Sequence, residues 1–152
     1  MEISIQKATL DDLMDIFDWR NDQVTCQMSL DSNPIELEIH REWFLKAISS
    51  KNIKMYVALQ DDAKVGVCRF DMASNAAEVS INLNPSFRGK GLSFDILQSS
   101  IDVFFEEVEI DLIAKIKEEN IRSIDLFRRC GFVFDRQEVG FNIFSYSVSD
   151  TR

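Results

Sequence analysis

From Asn84 to Leu97 the chain reads NPSFRGKGLSFDIL, placing two of its five glycines beside Arg88 and Lys90. The alternating run Glu78-Val-Ser-Ile-Asn-Leu83 precedes this stretch. Leu92, Ile96, Leu97, Ile101, Phe104, Phe105 and Val108 follow at helical spacing, so the order is strand, short loop, helix start. Such a loop gathers several main-chain N–H groups, and the helix N-terminus adds partial positive charge. Glycine removes the Cβ that would hold an anion away. Arg88 and Lys90 add full charges, and the expected guest is a pyrophosphate. The Walker pattern GxxxxGK[ST] is absent, and Gly89-Lys-Gly91-Leu-Ser-Phe94 lacks the third glycine of a dinucleotide fingerprint. Taken alone, the stretch fits equally a helix start with incidental charges.

Other chemistry is restricted by what the chain contains. It has one histidine, His40, and three cysteines, Cys26, Cys68 and Cys130, far apart and without CxxC spacing. That disfavours a metal site and a disulfide framework and suits a reducing cytoplasm. The formal charge of -9 disfavours generic nucleic-acid binding, which draws on clustered Lys and Arg, and would attract a cationic small substrate. No apolar stretch is long enough to cross a bilayer, and the start MEISIQKATLDD is unlike a secretory signal. The length of 152 residues fits one domain, 1–152.

The elements that must position the loop can be read in order. Ile3 and Ile5 alternate with polar residues as a strand. Thr9 and Asp12 form a helix entry ahead of Leu13, Ile16 and Phe17, up to about Trp19-Arg20. Asn33-Pro34-Ile35-Glu36 reads as a second entry, continued by Ile39, Trp43, Phe44 and Ile48. Strands are expected at Met55–Leu59, Val65–Phe70 and Glu78–Leu83, with turns at Asp61-Asp62 and Ser74-Asn75. A helix from about Gly91 to Glu107 leads to a strand at Asp111–Ile116. Ile121, Ile124, Phe127 and Cys130 then mark a helix closed by Gly131, before strands near Val133-Phe134 and at Phe141–Tyr146. The expected class is α/β, in the order β-α-α-β-β-β-α-β-α-β-β.

Arg88-Gly-Lys-Gly91-Leu-Ser93 resembles the acyl-CoA pyrophosphate loop of the GNAT N-acetyltransferases, usually Arg/Gln-x-x-Gly-x-Gly/Ala. Asn120-Ile-Arg-Ser-Ile-Asp-Leu-Phe-Arg-Arg-Cys-Gly-Phe132 is similar to that family's segment after its fifth strand, and the element order also fits. The resemblance implies a mixed sheet of about seven strands with helices on both faces. It implies acetyl-CoA as cosubstrate, no metal, and direct attack of an amine on the thioester. The cofactor-binding residues it implies are Leu83, Asn84, Phe87, Arg88, Gly89, Lys90, Gly91, Leu92, Ser93, Asn120, Ser123 and Phe127. Two departures stand out. Ser93 replaces the third small residue, and Phe127 stands where the family often has the tyrosine that protonates the leaving thiolate. A thiol with a pKa of about 8.5 leaves tolerably without a dedicated acid.

The attacking amine must lose a proton. Glu78, on the polar face of the strand leading to the loop, is the first candidate base, and His40 is its rival. Each reading has a plain alternative: a solvated carboxylate, or a satisfied helical histidine. On the acceptor side, Trp19, Arg20, Asn21, Met28, His40 and Phe44 resemble the amino-sugar N-acetyltransferases of the pseudaminic-acid pathway. That implies transfer to the 4-amino group of a UDP-linked deoxy amino sugar, with Arg20 facing a diphosphate and an aromatic ring stacking on the sugar or base. Helix core is the alternative for Trp19 and Phe44. Polyamine, small-amine or ribosomal-protein acetylation stays open, as does a non-catalytic acyl-CoA-binding module. Pairing of two copies through Phe141–Tyr146 is compatible with that strand's apolar character.

Overall fold

The computed structural model describes residues 2–151, so the expected span 1–152 reaches one residue past the described residues at each end. The chain forms β1 (Ser4–Lys7), α1 (Leu13–Arg20), α2 (Gln23–Met28), α3 (Leu37–Ser49), β2 (Ile53–Gln60), β3 (Ala63–Met72) and β4 (Ala76–Leu83). It continues with α4 (Ser93–Glu107), β5 (Asp111–Lys117), α5 (Ile121–Arg129), β6 (Val133–Glu138) and β7 (Phe141–Tyr146). The seven strands make one mixed sheet, ordered β1-β2-β3-β4-β5-β7-β6. The expected fold class holds, with one helix added.

Local chemistry accounts for most boundaries. Thr9 and Asp12 form the expected capping box, with Thr9 N–H donating to Asp12 Oδ2 at 2.8 Å, and a 3₁₀ turn leads into α1. Asp61 and Asp62 both take positive φ, which suits the tight turn between β2 and β3. Two helix expectations need correction. Asn33 does not cap α3: the helix begins at Leu37 with Glu36 as its N-cap. Asn21 binds both main-chain groups of Ile35, each at 2.8 Å, and ties that residue into the connection before the helix. Phe44 is buried as expected, but His40 and Ala47 complete the buried face of α3, while Ile39 and Ile48 stay exposed. The unexpected helix, α2, is started by Asp22, whose carboxylate accepts from the N–H groups of Val24 and Thr25.

Apolar side chains cover both faces of the sheet. On one face Leu13, Ile16 and Trp19 of α1 and Phe44 and Ala47 of α3 meet Met55, Val57 and Val67. On the other, Leu97, Ile101 and Phe104 of α4 and Leu126 and Phe127 of α5 meet Tyr56, Cys68, Phe70, Ala77 and Val79. Phe70 and Phe104 stack with ring centroids 4.2 Å apart.

The feature that makes a site is the junction of β4 and β5. These strands run parallel, but their pairing covers only Ala76, Ala77 and Glu78 against Asp111, Leu112 and Ile113. Beyond Glu78 the edge of β4 facing β5 has no ladder partner there. Ligands of open α/β sheets gather at the carboxyl ends of parallel strands, where helices begin. Here α4 starts after β4 and α5 after β5, on the two sides of the opening.

Candidate active site

The opening between β4 and β5 is a cleft of about 460 Å³. Its floor is Val79 to Leu83 of β4 and Lys115 and Ile116 of β5. Arg88, Gly89 and Ser93 form one side and Asn120, Ser123, Leu126 and Phe127 another, while Arg20, Thr25, Met28 and Asp31 close the end near α1 and α2.

The glycine loop is built to expose main chain. Asn84 Oδ1 accepts from Ser86 N–H at 3.0 Å, and Asn84 Nδ2 donates to Lys64 O at 2.9 Å, so this side chain folds the turn and does not line the cleft. Phe87 and Leu92 pack with Ala58, Val65 and Ile96, pinning both ends of the loop to the sheet. Lys90 Nζ lies 5.2 Å from the Phe87 ring centroid. Gly89 and Gly91 adopt φ of +75° and +72°, and a Cβ on either would meet nothing within 4 Å. Among the described residues no side chain caps α4 at Leu92, which leaves the first-turn N–H groups available. Open space, uncapped amides and two cations fit a diphosphate.

Asn120 caps α5 by accepting from Ser123 N–H at 3.3 Å, which places both residues on the cleft wall. Phe127 is buried, lines the cleft and meets Phe132 edge-on at 5.0 Å. It therefore serves the core and the cleft together. Having no hydroxyl, it offers no proton.

Glu78 stands where the β4–β5 pairing ends. Its side chain is one-third exposed, with the carboxylate 3.3 Å from Lys115 Nζ. Arg69, across the sheet on β3, spreads its guanidinium 4.8 Å from the Trp43 ring centroid and donates to Asp71. Arg20 reaches from α1 to Asp31 O at 2.6 Å and Cys26 Sγ at 3.2 Å.

Four expected acceptor-side residues are elsewhere. His40 does not reach the cleft. It is buried among Phe17, Trp43 and Phe44, with Nε2 2.9 Å from Leu13 O, and burial holds its imidazole below the usual value. It offers neither a base nor a substrate contact there. Trp19 and Phe44 belong to the core, and Asn21 is spent on Ile35. Arg20 and Met28 do line the cleft. The sequence reading missed Thr25, Asp31, Arg69, Lys115 and Arg122, which also line it. Lys115 had a readable signal, since Leu112, Ala114 and Ile116 alternate inward and leave it on the opposite face.

Among the described residues no cluster of three or more His, Cys, Asp or Glu side chains is placed to hold a metal ion. No helix among them is long and apolar enough to cross a membrane. A family model described as the acetyltransferase (GNAT) domain matches residues 3–133. The chain belongs to the GNAT acetyltransferase family. No curated protein sequence matches it. Solved structures similar to this GNAT chain include a chimera of spermidine N-acetyltransferase SpeG from Vibrio cholerae with hSSAT, at 16% identity and a TM-score of 0.84, covering 99% of this chain and 98% of that one. AAC(6')-Ib, in complex with ribostamycin and coenzyme A, is 14% identical with a TM-score of 0.83, covering 97% and 94%. Campylobacter jejuni PseH, in complex with acetyl coenzyme A, is 18% identical with a TM-score of 0.74, covering 95% and 98%. At these identities the likeness concerns the fold. The family assignment makes the protein an acetyl-CoA-dependent N-acetyltransferase.

Proposed function

We propose that this enzyme acetylates a primary amine on an acceptor that also carries negative charge. The lead candidate is the 4-amino group of a nucleotide-diphosphate-linked deoxy amino sugar. The observation that carries this reading is the charge of the cleft. In a chain of formal charge -9, Arg20, Arg69, Arg88, Lys115 and Arg122 line it, against Asp31 and Glu78. With Arg88 assigned to the cosubstrate, Arg20, Arg69 and Lys115 stand near Glu78 and α2, where an acceptor would enter. Arg69 and Lys115 are matched there by Asp71 and Glu78, which leaves Arg20 as the guanidinium with no carboxylate partner among the described residues, and a phosphate-bearing acceptor would be drawn to it where a polycationic one would not. Trp19 and Phe44, being in the core, contribute no stacking to this reading.

In this proposal the main-chain N–H groups from Arg88 to Ser93, with Arg88 and Lys90, hold the pyrophosphate of acetyl-CoA. When bound, acetyl-CoA supplies an acyl thioester whose thiolate is a competent leaving group. The unpaired edge of β4 toward Leu83 offers main-chain groups to the pantetheine arm. Glu78, held by Lys115, takes the proton from the acceptor ammonium directly or through one water. Phe127 contributes an apolar wall, and the departing sulfur is protonated by solvent.

The test is release of free thiol from acetyl-CoA across a panel of amines. Turnover with a UDP-linked 4-amino sugar, and not with spermidine or an aminoglycoside, is the expected result. Turnover confined to spermidine would overturn the anionic-acceptor reading.

A further inference from the structure

Arg88 belongs to the glycine loop, yet its side chain is tied to α2. Its NH2 group donates to Asp22 Oδ2, and to Thr25 Oγ1 at 3.2 Å. The same Oδ2 accepts the N–H groups of Val24 at 3.1 Å and Thr25 at 3.2 Å. One carboxylate oxygen thus both starts α2 and holds the loop arginine. Burial alone would raise the Asp22 carboxyl, but the Arg88 and main-chain hydrogen bonds outweigh it and keep the group below the usual carboxylate range.

The helix at the other end of this tie needs the support. It has six residues, of which Cys26 alone is buried, and a helix of fewer than two turns does not persist on its own hydrogen bonds. Its further tethers are Arg20 to Cys26 Sγ and Lys117 Nζ to Gln27 O at 2.9 Å. Segments with so little buried surface open locally at low cost. Yet α2 presents Val24, Thr25 and Met28 to the cleft. Arg88 keeps Nε and NH1 without a partner among the described residues, so it can serve an anion and Asp22 together.

We propose that Asp22 is a positioning residue that couples the two halves of the cleft: an anion held at the glycine loop fixes Arg88 and, through the shared carboxylate, orders α2 and the acceptor wall it carries. The proposal rests on the reading that coenzyme A places its diphosphate at Arg88–Ser93. A ligand shifts an equilibrium only through contacts that differ between the two states, and the Arg88–Asp22 bond supplies that difference.

Amide hydrogen exchange of the whole protein, with and without saturating coenzyme A, tests both steps separately. In the wild type coenzyme A should slow exchange at Gly89–Ser93 and also at Thr25–Ser29, the latter about fivefold or more. Asp22→Asn keeps a good helix cap and removes the charge. It should keep the loop protection and lose the ligand-induced protection of α2. Arg88→Gln, which leaves the Asp22 cap intact, should lose the α2 protection even when saturated with ligand. Protection of α2 that persists in both variants would overturn the coupling, as would a wild type protected at the loop alone. A wild type protected at neither segment would remove the pyrophosphate assignment and the coupling with it.

Discussion

Replacing Gly91 with valine separates the cost of a strained backbone from the loss of a ligand contact. Gly91 sits at φ +72° with nothing within 4 Å of an added Cβ, so the protein itself has room for the side chain. The folding cost is then chiefly that of an L-residue in the left-handed region, about 1–2 kcal/mol. For a chain of this size that lowers Tm by about 2–8 °C. Binding should suffer more. A hydrogen bond to a charged oxygen is worth about 1.5–3 kcal/mol, so displacing one amide from the diphosphate raises the acetyl-CoA Kd roughly 10- to 150-fold. The molecule carries its own control. Gly140, between β6 and β7, has φ +88° and equally open surroundings, and it lies on a turn outside the glycine loop. Gly140→Val should show a similar loss of Tm and an unchanged Kd. Calorimetric titration with acetyl-CoA and a thermal melt of both variants give the two numbers. Equal, near wild-type affinity in both would refute the placement of the pyrophosphate at the loop.

Glu78→Gln should lower kcat by about tenfold or more while leaving acetyl-CoA affinity nearly unchanged, since proton transfer by a placed side chain contributes about 10²–10⁴. An unaltered kcat and pH–rate profile in that variant would remove Glu78 as the base. His40 is held neutral by burial, with its pKa below the unfolded value of about 6.5. Protons therefore bind the unfolded chain first, and stability should fall as pH drops below that value. Comparing melts from pH 7.5 to pH 5.5, His40→Gln should show a flatter pH dependence of Tm than the wild type; an identical slope would contradict this. Burial pushes the Cys68 thiol up to about 12 and Cys130 to about 11, and Cys26 is buried too. A disulfide reagent should label these cysteines only after denaturation, and prompt labelling of the native protein would show the interior to be more open than described.

The legibility of this fold followed the range of the forces involved. The alternation of Glu78 to Leu83 and the helical spacing of Leu92 to Phe104 are local signals, and both elements appear within two residues of expectation. The loop glycines were legible as points of close main-chain approach, and their positive φ is what the structure adds. Local periodicity failed at α2, whose QVTCQM is too short and too polar to carry a stripe; Asp22, followed by helix-tolerant residues, was its one available sign. It failed again at α3, where Asn21, twelve residues before Asn33, holds Ile35 and delays the helix start. The acceptor end was the least readable part. Whether Trp19, His40 and Phe44 face a substrate or the sheet depends on the packing of α1 and α3 over β2, which no residue spacing records. Arg69 and Lys115 converge on the cleft through strand register and the parting of β4 from β5, and both are properties of the assembled sheet.

A crystal structure with coenzyme A tests the central assignment most directly. Diphosphate oxygens should lie within hydrogen-bond distance of main-chain N–H groups between Arg88 and Ser93, with the pantetheine arm passing between β4 and β5 toward Glu78. A diphosphate bound elsewhere, with the parted strands left to solvent, would contradict it.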